Sequence, residues 1–261
     1  MLKSVKRSPI ARSPTSFTSP DGVILPTIFH VTQYKAGSQW IHNLLLKCAP
    51  ERVVKPKLWA KHFTNDAIIP GAIYPTVYVT KSVFDRRKKP EDYRRFVIFR
   101  DLRDTAVSAY FSLQVSHPKV GSIEKIRRKL SSRTLEAGML WILRNWLPIN
   151  AKIGLSWLKS GEPWIKYEDL LENDLPILED VLRKRCLPEL DEKRFAEAVC
   201  SCRFESLSEG RKRGEENISA HTRKGIAGDW RNYFTPKIKK EFKRRYGDLL
   251  IRSGYEKNGD W

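Results

Sequence analysis

The sequence predicts an α/β fold, a central, mainly parallel sheet flanked by helices. Three observations lead there. Short apolar runs of strand character alternate with longer amphipathic stretches, the pattern of strand–helix–strand crossovers. Hydrophobic residues make up 41% of the 261-residue chain, enough for one sizeable core. The four cysteines lack zinc-ribbon spacing, and Cys200-Ser201-Cys202 is too tight for an ordinary disulfide framework. The core, not a set of staples, therefore holds the chain, with reduced thiols in a reducing, cytoplasmic compartment.

Each element follows in order. Residues 1–20 carry four basic and no acidic side chains among many Ser and Pro. They predict a flexible arm, ending near residue 22, with a weak likeness to an organelle transit peptide. A single domain is expected over residues 23–261. Thr27 to Thr32 reads as a buried strand, Gln33 to Trp40 as a tight loop, and Ile41 to Lys47 as a helix. Residues 76–80 are a second strand and Phe96 to Phe99 a third, which runs into Arg100-Asp101-Leu102-Arg103-Asp104. Helices are expected over Thr105 to Leu113, 122–159, 174–185, 190–200 and 236–250, with a fourth strand at Trp164 to Tyr167 and a basic, glycine-containing loop over 208–229. No internal repeat is present, and no run approaches the ~18 apolar residues of a membrane span.

The 49 Lys+Arg against 30 Asp+Glu give a formal net charge of +19, so the surface attracts anions. Charge alone does not choose among nucleic acid, acidic glycans and phosphorylated ligands, and any one basic run can be a solvated face. Three segments are more particular. A loop leaving a strand and opening a helix is a natural anion site, because the first N–H groups of the helix are unpaired. Here Lys35 adds a mobile charge, Gly37 permits close backbone approach, and Ser38 offers a hydroxyl. This is phosphate-loop logic without the Walker pattern GxxxxGK[ST]. Arg100 ends a strongly apolar strand, with Ser108 on the following helix. It suits bidentate phosphate recognition, or an ion pair with Asp104. The third segment, His221 to Trp230, contains Arg223-Lys224-Gly225, two cations beside a flexible N–H.

The ordered set K-x-G-[ST]-x-W, then R-D-x-x-D-x-A-x-S-x-Y, then R-K-G-x-x-G-D-W resembles the sulfotransferases that use 3′-phosphoadenosine 5′-phosphosulfate (PAPS). The resemblance covers roughly residues 27–246, and its most specific part is the last, through Gly225, Gly228, Asp229, Trp230, Asn232, Phe234 and Thr235. It implies a P-loop-like three-layer sandwich. It implies that Lys35, Ala36, Gly37, Ser38 and Gln39 hold the 5′-phosphosulfate, and that Trp40 lies beside the adenine. By the same likeness Arg100 and Ser108 bind the 3′-phosphate, Arg223, Lys224 and Gly225 close over it, and Tyr167 and Phe204 contact the adenine. Each aromatic also reads as core packing. Sulfuryl transfer spreads charge over oxygens in an in-line transition state and needs fixed cations more than a covalent nucleophile, and it requires no metal. Lys35 is the expected leaving-group stabiliser, with Lys81 near the transferred group or, equally, a surface lysine at a strand end.

The chain also departs from that family. Many cytosolic members carry a histidine as general base where Val83 stands. The best replacement in the sequence is His62, in Lys61-His62-Phe63, with Glu51 second; a surface histidine is the alternative. Loops at 57–75, 84–92 and 114–135 are expected to shape the acceptor pocket. Their basic content favours a polar or anionic acceptor, such as a saccharide, with small phenols or amines left open; no nucleic-acid partner is expected, and the oligomeric state is left open. Two other functions compete: a small-molecule phosphotransferase, and a non-catalytic basic protein that binds anionic glycan or nucleic acid.

Overall fold

Strand β1 (Thr27–Thr32) is buried at all six positions and lies at the centre of the sheet. The computed structural model describes residues 15–118 and 120–261. After β1 come α1 (Ser38–Cys48), α2 (Lys61–Thr64), β2 (Ile73–Val77), α3 (Lys81–Arg86), β3 (Tyr93–Phe99) and α4 (Leu102–Phe111). Then follow α5 (Ile123–Ser131), α6 (Leu135–Asn145), α7 (Leu147–Leu158), β4 (Ile165–Lys166), α8 (Tyr167–Leu178), α9 (Glu192–Ser201), α10 (Phe204–Leu207) and α11 (Pro236–Arg252). The strand order is β2-β1-β3-β4, with every pairing parallel.

Both faces of the sheet are covered, which is why its strands read as continuous apolar runs rather than alternating ones. Ile28, Phe96 and Ile98 pack under Leu44, Leu45, Leu170 and Phe195 from α1, α8 and α9. Phe29, Val31, Val97 and Phe99 face Phe63, Phe84 and Trp157 in the opposite layer. A third cluster joins α4, α6 and α11 through Ala106, Leu143 and Phe242. Trp157 fills the second cluster while its indole N–H donates to the Val79 carbonyl at 2.9 Å. Its replacement by alanine should cost roughly 3–5 kcal/mol.

The β1–β3 register is unbroken from Thr27↔Tyr93 to Thr32↔Ile98. Between β1 and β2 it shifts between Phe29 and Val31, opposite Pro75, which has no N–H to give the ladder. His30 meets that irregularity: its Nδ1–H donates to the Pro75 carbonyl at 2.6 Å, and burial lowers its pKa to about 4.

Several boundaries differ from the sequence reading, and four of the differences have a local reason. The second strand is Ile73–Val77, not 76–80, because Tyr78 leaves the sheet to stack on Tyr34 at 4.1 Å. The stretch 122–159 is three helices: Thr134 caps α6 by accepting from Ala137 N–H, and Pro148 sits in the first turn of α7. The helix expected from 174 starts at Tyr167 and is broken at Asn173, whose φ of −144° is non-helical, three residues before Pro176. Finally, the fold reaches back beyond Val23. Phe17 N–H donates to the Pro70 carbonyl at 2.9 Å, and a Cβ on Gly71 would come 2.9 Å from the Phe17 Cβ. The earlier part of the expected N-terminal arm, residues 1–14, lies outside the described residues. Among the described residues, no helix is long and apolar enough to cross a membrane.

Candidate active site

The carboxyl ends of β1 and β3 open side by side into a crevice, the usual ligand position of a parallel α/β sheet. From β1 comes the Lys35–Gly37 turn. Lys35 (φ 67°) and Gly37 (φ 77°) are both left-handed, which costs the lysine strain but not the glycine. Gly37 caps α1, whose first turn has no acidic residue to occupy its N–H groups. A Cβ there would sit 2.6 Å from the Tyr167 ring, so glycine lets α8 close against the turn.

The Lys35 ammonium donates to Ser112 Oγ at 3.0 Å. Burial, then the neighbouring charges of Arg100 and Arg223, lower its pKa to about 8. Arg100 lies 4.8 Å over the Tyr167 ring and donates to the carbonyls of Lys35 (3.3 Å) and Ile226 (3.2 Å). Its Nε is buried with no partner among the described residues. Asp104 does not pair with it. That carboxylate instead accepts from Gly228 N–H at 2.6 Å and Trp230 N–H at 2.9 Å, tying the C-terminal glycine loop to α4.

In that loop Gly225 is left-handed, and a Cβ on it would collide with the Phe204 ring. Arg223 and Lys224 are less free than their sequence implies. Arg223 pairs with Glu216 and Asp229, and Lys224 donates to Asp229 Oδ1 at 2.8 Å. The Arg223 guanidinium also lies 4.7 Å over the Phe111 ring.

All three segments border one cavity of about 1090 Å³. Lys35, Gly37, Ser38, Gln39, Trp40, Arg100, Ser108, Tyr167, Phe204, Arg223, Lys224 and Gly225 line it. Of the expected nucleotide residues only Ala36 is absent from the wall; it is fully buried beneath the turn. An apolar group, Leu58, Trp59, Val120, Ile123, Ile126, Trp146 and Ile149, lines it as well. Tyr34, Tyr78, His117 and His221 also border the cavity, and among the described residues no aspartate or glutamate does.

Two expected catalytic residues lie elsewhere. His62 is 1% exposed, accepts from Lys57 N–H at Nδ1 (3.1 Å) and lies parallel to Tyr74 in the core. Burial holds its pKa below the usual histidine value. It packs, and it does not reach the cavity. Lys81 donates to Asp85 at 2.7 Å and lies 3.8 Å from Glu162, so its charge is already answered. Its Nζ sits 5.7 Å over Trp157. Glu51 is exposed away from the cavity, and Val83 packs on the sheet's second face.

Sequence reading missed Tyr34 and Tyr78, which stack on one another while Tyr78 donates to Ser38 Oγ at 2.7 Å. It also missed the cavity's histidines. His221 was visible two residues before Arg223; His117 had no motif to mark it.

The sulfotransferase domain family matches residues 81–254. Sulfotransferase 1 family member D1 of Mus musculus is 21% identical over 259 residues, covering 87% of this chain and 82% of that protein. Sulfotransferase 1E1 of Cavia porcellus is 25% identical over 220 residues, covering 77% and 67%. Among solved structures, mouse sulfotransferase SULT7A1 complexed with PAP superposes with a TM-score of 0.61 at 18% identity, covering 88% of this chain and 86% of that one. Retinol dehydratase in a complex with retinol and PAP gives a TM-score of 0.53 at 15% identity, covering 87% and 82%. These structures share the fold, and the family match runs from the first residue of α3 to just beyond α11. This chain therefore belongs to the sulfotransferase domain family.

Proposed function

We propose that the protein transfers a sulfuryl group from PAPS to a hydroxyl or amine of a small, largely apolar acceptor. The observation that carries this reading is the meeting of Lys35, Arg100 and the Arg223–Gly225 loop around one cavity, with Lys35 and Arg100 free of carboxylate contact among the described residues. The residues fit a nucleotide with phosphates at both ends. Among the described residues, Arg100 Nε and Trp40 Nε1 are buried donors with no partner, and the Lys35 ammonium meets only a hydroxyl.

In this assignment the turn Lys35 to Gln39 and the open N-terminus of α1 hold the 5′ group. Arg100 and Ser108 hold the 3′-phosphate, with Arg223, Lys224 and Gly225 above it. Trp40, Tyr167 and Phe204 border the base; Trp40 meets Tyr167 edge-on at 6.1 Å. PAPS supplies an activated sulfuryl group on a good leaving phosphate. The chain supplies fixed positive charge where negative charge grows, and Lys35 is the group placed to stabilise the departing oxygen.

The acceptor end supports a different substrate from the polar or anionic one the basic loops suggested. Its apolar side chains are Leu58, Trp59, Val120, Ile123, Ile126, Trp146 and Ile149, which outnumber the neutral polar Asn43, Ser122 and Asn145 of the same cavity. Such a wall gains affinity by burying apolar area, about 25 cal/mol per Å². A saccharide would leave hydroxyls unpaired against it. Residues 23–261 act as one unit in this reading, and the four free cysteines suit the cytoplasm.

Calorimetric titration with PAP tests the proposal. Binding is expected, with affinity reduced at least ~10-fold in Arg100→Ala, because a buried charge-assisted contact is worth about 1.5–3 kcal/mol. No binding to wild-type protein, or unchanged affinity in Arg100→Ala, would sink the assignment.

A further inference from the structure

We propose that His117 is the general base that removes the acceptor's proton. The inference rests on the sulfuryl-transfer reading and names the one role it leaves unfilled. An acceptor hydroxyl forms its bond to sulfur as the bond from sulfur to the nucleotide's bridging oxygen breaks. The departing oxygen keeps that electron pair, and the acceptor's proton must go to a base on the acceptor side.

The cavity offers few candidates. No carboxylate borders it among the described residues, and Lys35 is needed as a cation. Two histidines remain, and position separates them. Helix α4 ends at Phe111 and gives way to a π-helical turn over Ser112–Ser116. That turn closes with His117 N–H donating to the Ser112 carbonyl at 2.7 Å. Ser112 Oγ in turn accepts from the Lys35 ammonium. His117 thus stands one wide turn from the residue that touches the proposed leaving-group lysine. Leu113 before it and Val120 after it line the same cavity. Arg127 from α5 fixes this segment by donating to the His117 carbonyl at 2.6 Å and the Leu113 carbonyl at 3.3 Å.

The ring is also set in the useful tautomer. His117 Nδ1 lies 2.9 Å from the Pro118 carbonyl, which can only accept. Nδ1 therefore carries the hydrogen, and Nε2 keeps a lone pair for the acceptor's proton. His221 is the poorer candidate. It belongs to the segment that leads into Arg223 and Lys224, on the nucleotide side. Burial, then Lys35, then His117 push its pKa down to about 4, and so weak a base takes a proton poorly. Among the described residues, His221, whose pKa His117 lowers, and Arg127, which bonds its carbonyl, are the charged or titratable groups beside His117.

The test uses His117→Ala, His117→Gln and His221→Ala in the full chain. Radiolabelled PAPS is the donor, with 2-naphthol and water as acceptors, and PAP affinity is measured in parallel. In both His117 variants transfer should fall by about 10²-fold or more. PAP affinity should stay within about twofold of wild type. His221→Ala should be affected roughly tenfold less than the His117 variants. Transfer that persists in both His117 variants overturns the proposal. So does an equal or larger loss in His221→Ala, or loss of PAP affinity in both His117 variants. Failure of wild-type protein to bind PAP would instead bring down the sulfuryl-transfer reading itself.

Discussion

The two ends of the cavity are built by different means. At the end proposed for the nucleotide, backbone does much of the work: left-handed turns at Lys35, Gly37 and Gly225, an open helix terminus, and two glycines pressed against Tyr167 and Phe204. At the end proposed for the acceptor, side chains from the Leu58–Ala60 turn, α5, the junction of α6 and α7, and α7 supply apolar volume. A backbone cradle tolerates little change, because a Cβ or a missing charge alters it at once. A wall of apolar side chains tolerates substitution of similar size. Substitutions should therefore separate the two ends, and the largest effect belongs to the first.

Lys35→Ala should lower kcat by roughly 10²–10³-fold, as expected when a charge-stabilising donor is removed from a transition state. Steady-state rates with PAPS and a small phenol measure it. An effect under tenfold would mean that the turn holds the nucleotide without stabilising the leaving oxygen.

Gly225→Ala probes the cradle rather than the charge. The new Cβ meets the Phe204 ring at a left-handed φ of 66°, so strain of about 1–3 kcal/mol is expected. PAP affinity should fall by about 5- to 100-fold while the acceptor KM changes little. Thermal unfolding shows whether strain is felt in the free protein. If Gly225→Ala binds PAP normally, the close approach of this loop to Phe204 does not shape the site.

The same contrast explains what the sequence made legible. That Lys35, Gly37, Arg100 and Gly225 meet at one cavity was readable because each stands in a local relation: a strand end, a turn, a cation beside a glycine. The strands were readable because both their faces are buried. The acceptor end is assembled across the chain. The Tyr34–Tyr78 stack joins residues 44 positions apart, which no local pattern encodes. His62 misled because a one-turn helix gives no periodicity to say which way a ring points, and this ring points inward to Tyr74. Lys81 could have been discounted, since Asp85 lies one helical turn ahead and pairs with it. Asp104 offered Arg100 a partner by spacing, yet its bonds go to Gly228 and Trp230, 124 and 126 residues away.

The acceptor end should respond more mildly. Trp59 is 72% exposed and left-handed at φ 59°, and it borders the cavity from the Leu58–Ala60 turn. Trp59→Ala should raise KM for apolar phenols by about tenfold, the worth of roughly 50 Å² of lost apolar contact. PAP affinity should be unchanged, and stability nearly so, because little of this ring is buried in the free protein. A matched fall in PAP affinity would erase the distinction between the two ends.

The smallest predicted effect is a pH dependence that belongs to one end alone. Lys35 has its pKa lowered to about 8 by burial and by the Arg100 and Arg223 charges. Below that value it is protonated and attracts the 5′-phosphate; above it the charge is lost. A bound phosphate stabilises the ammonium and raises its pKa, so PAP binding takes up a proton in the window above about 8. PAP affinity should hold from pH 6.5 to 7.5 and fall by up to about tenfold per pH unit above 8. Lys35→Arg keeps its charge throughout and should flatten that limb, whatever it costs in absolute affinity. The acceptor end has no part in this titration, so adding an apolar phenol should leave the limb where it is. A limb that persists in Lys35→Arg would assign the proton to another group and detach the phosphate turn from the pH response.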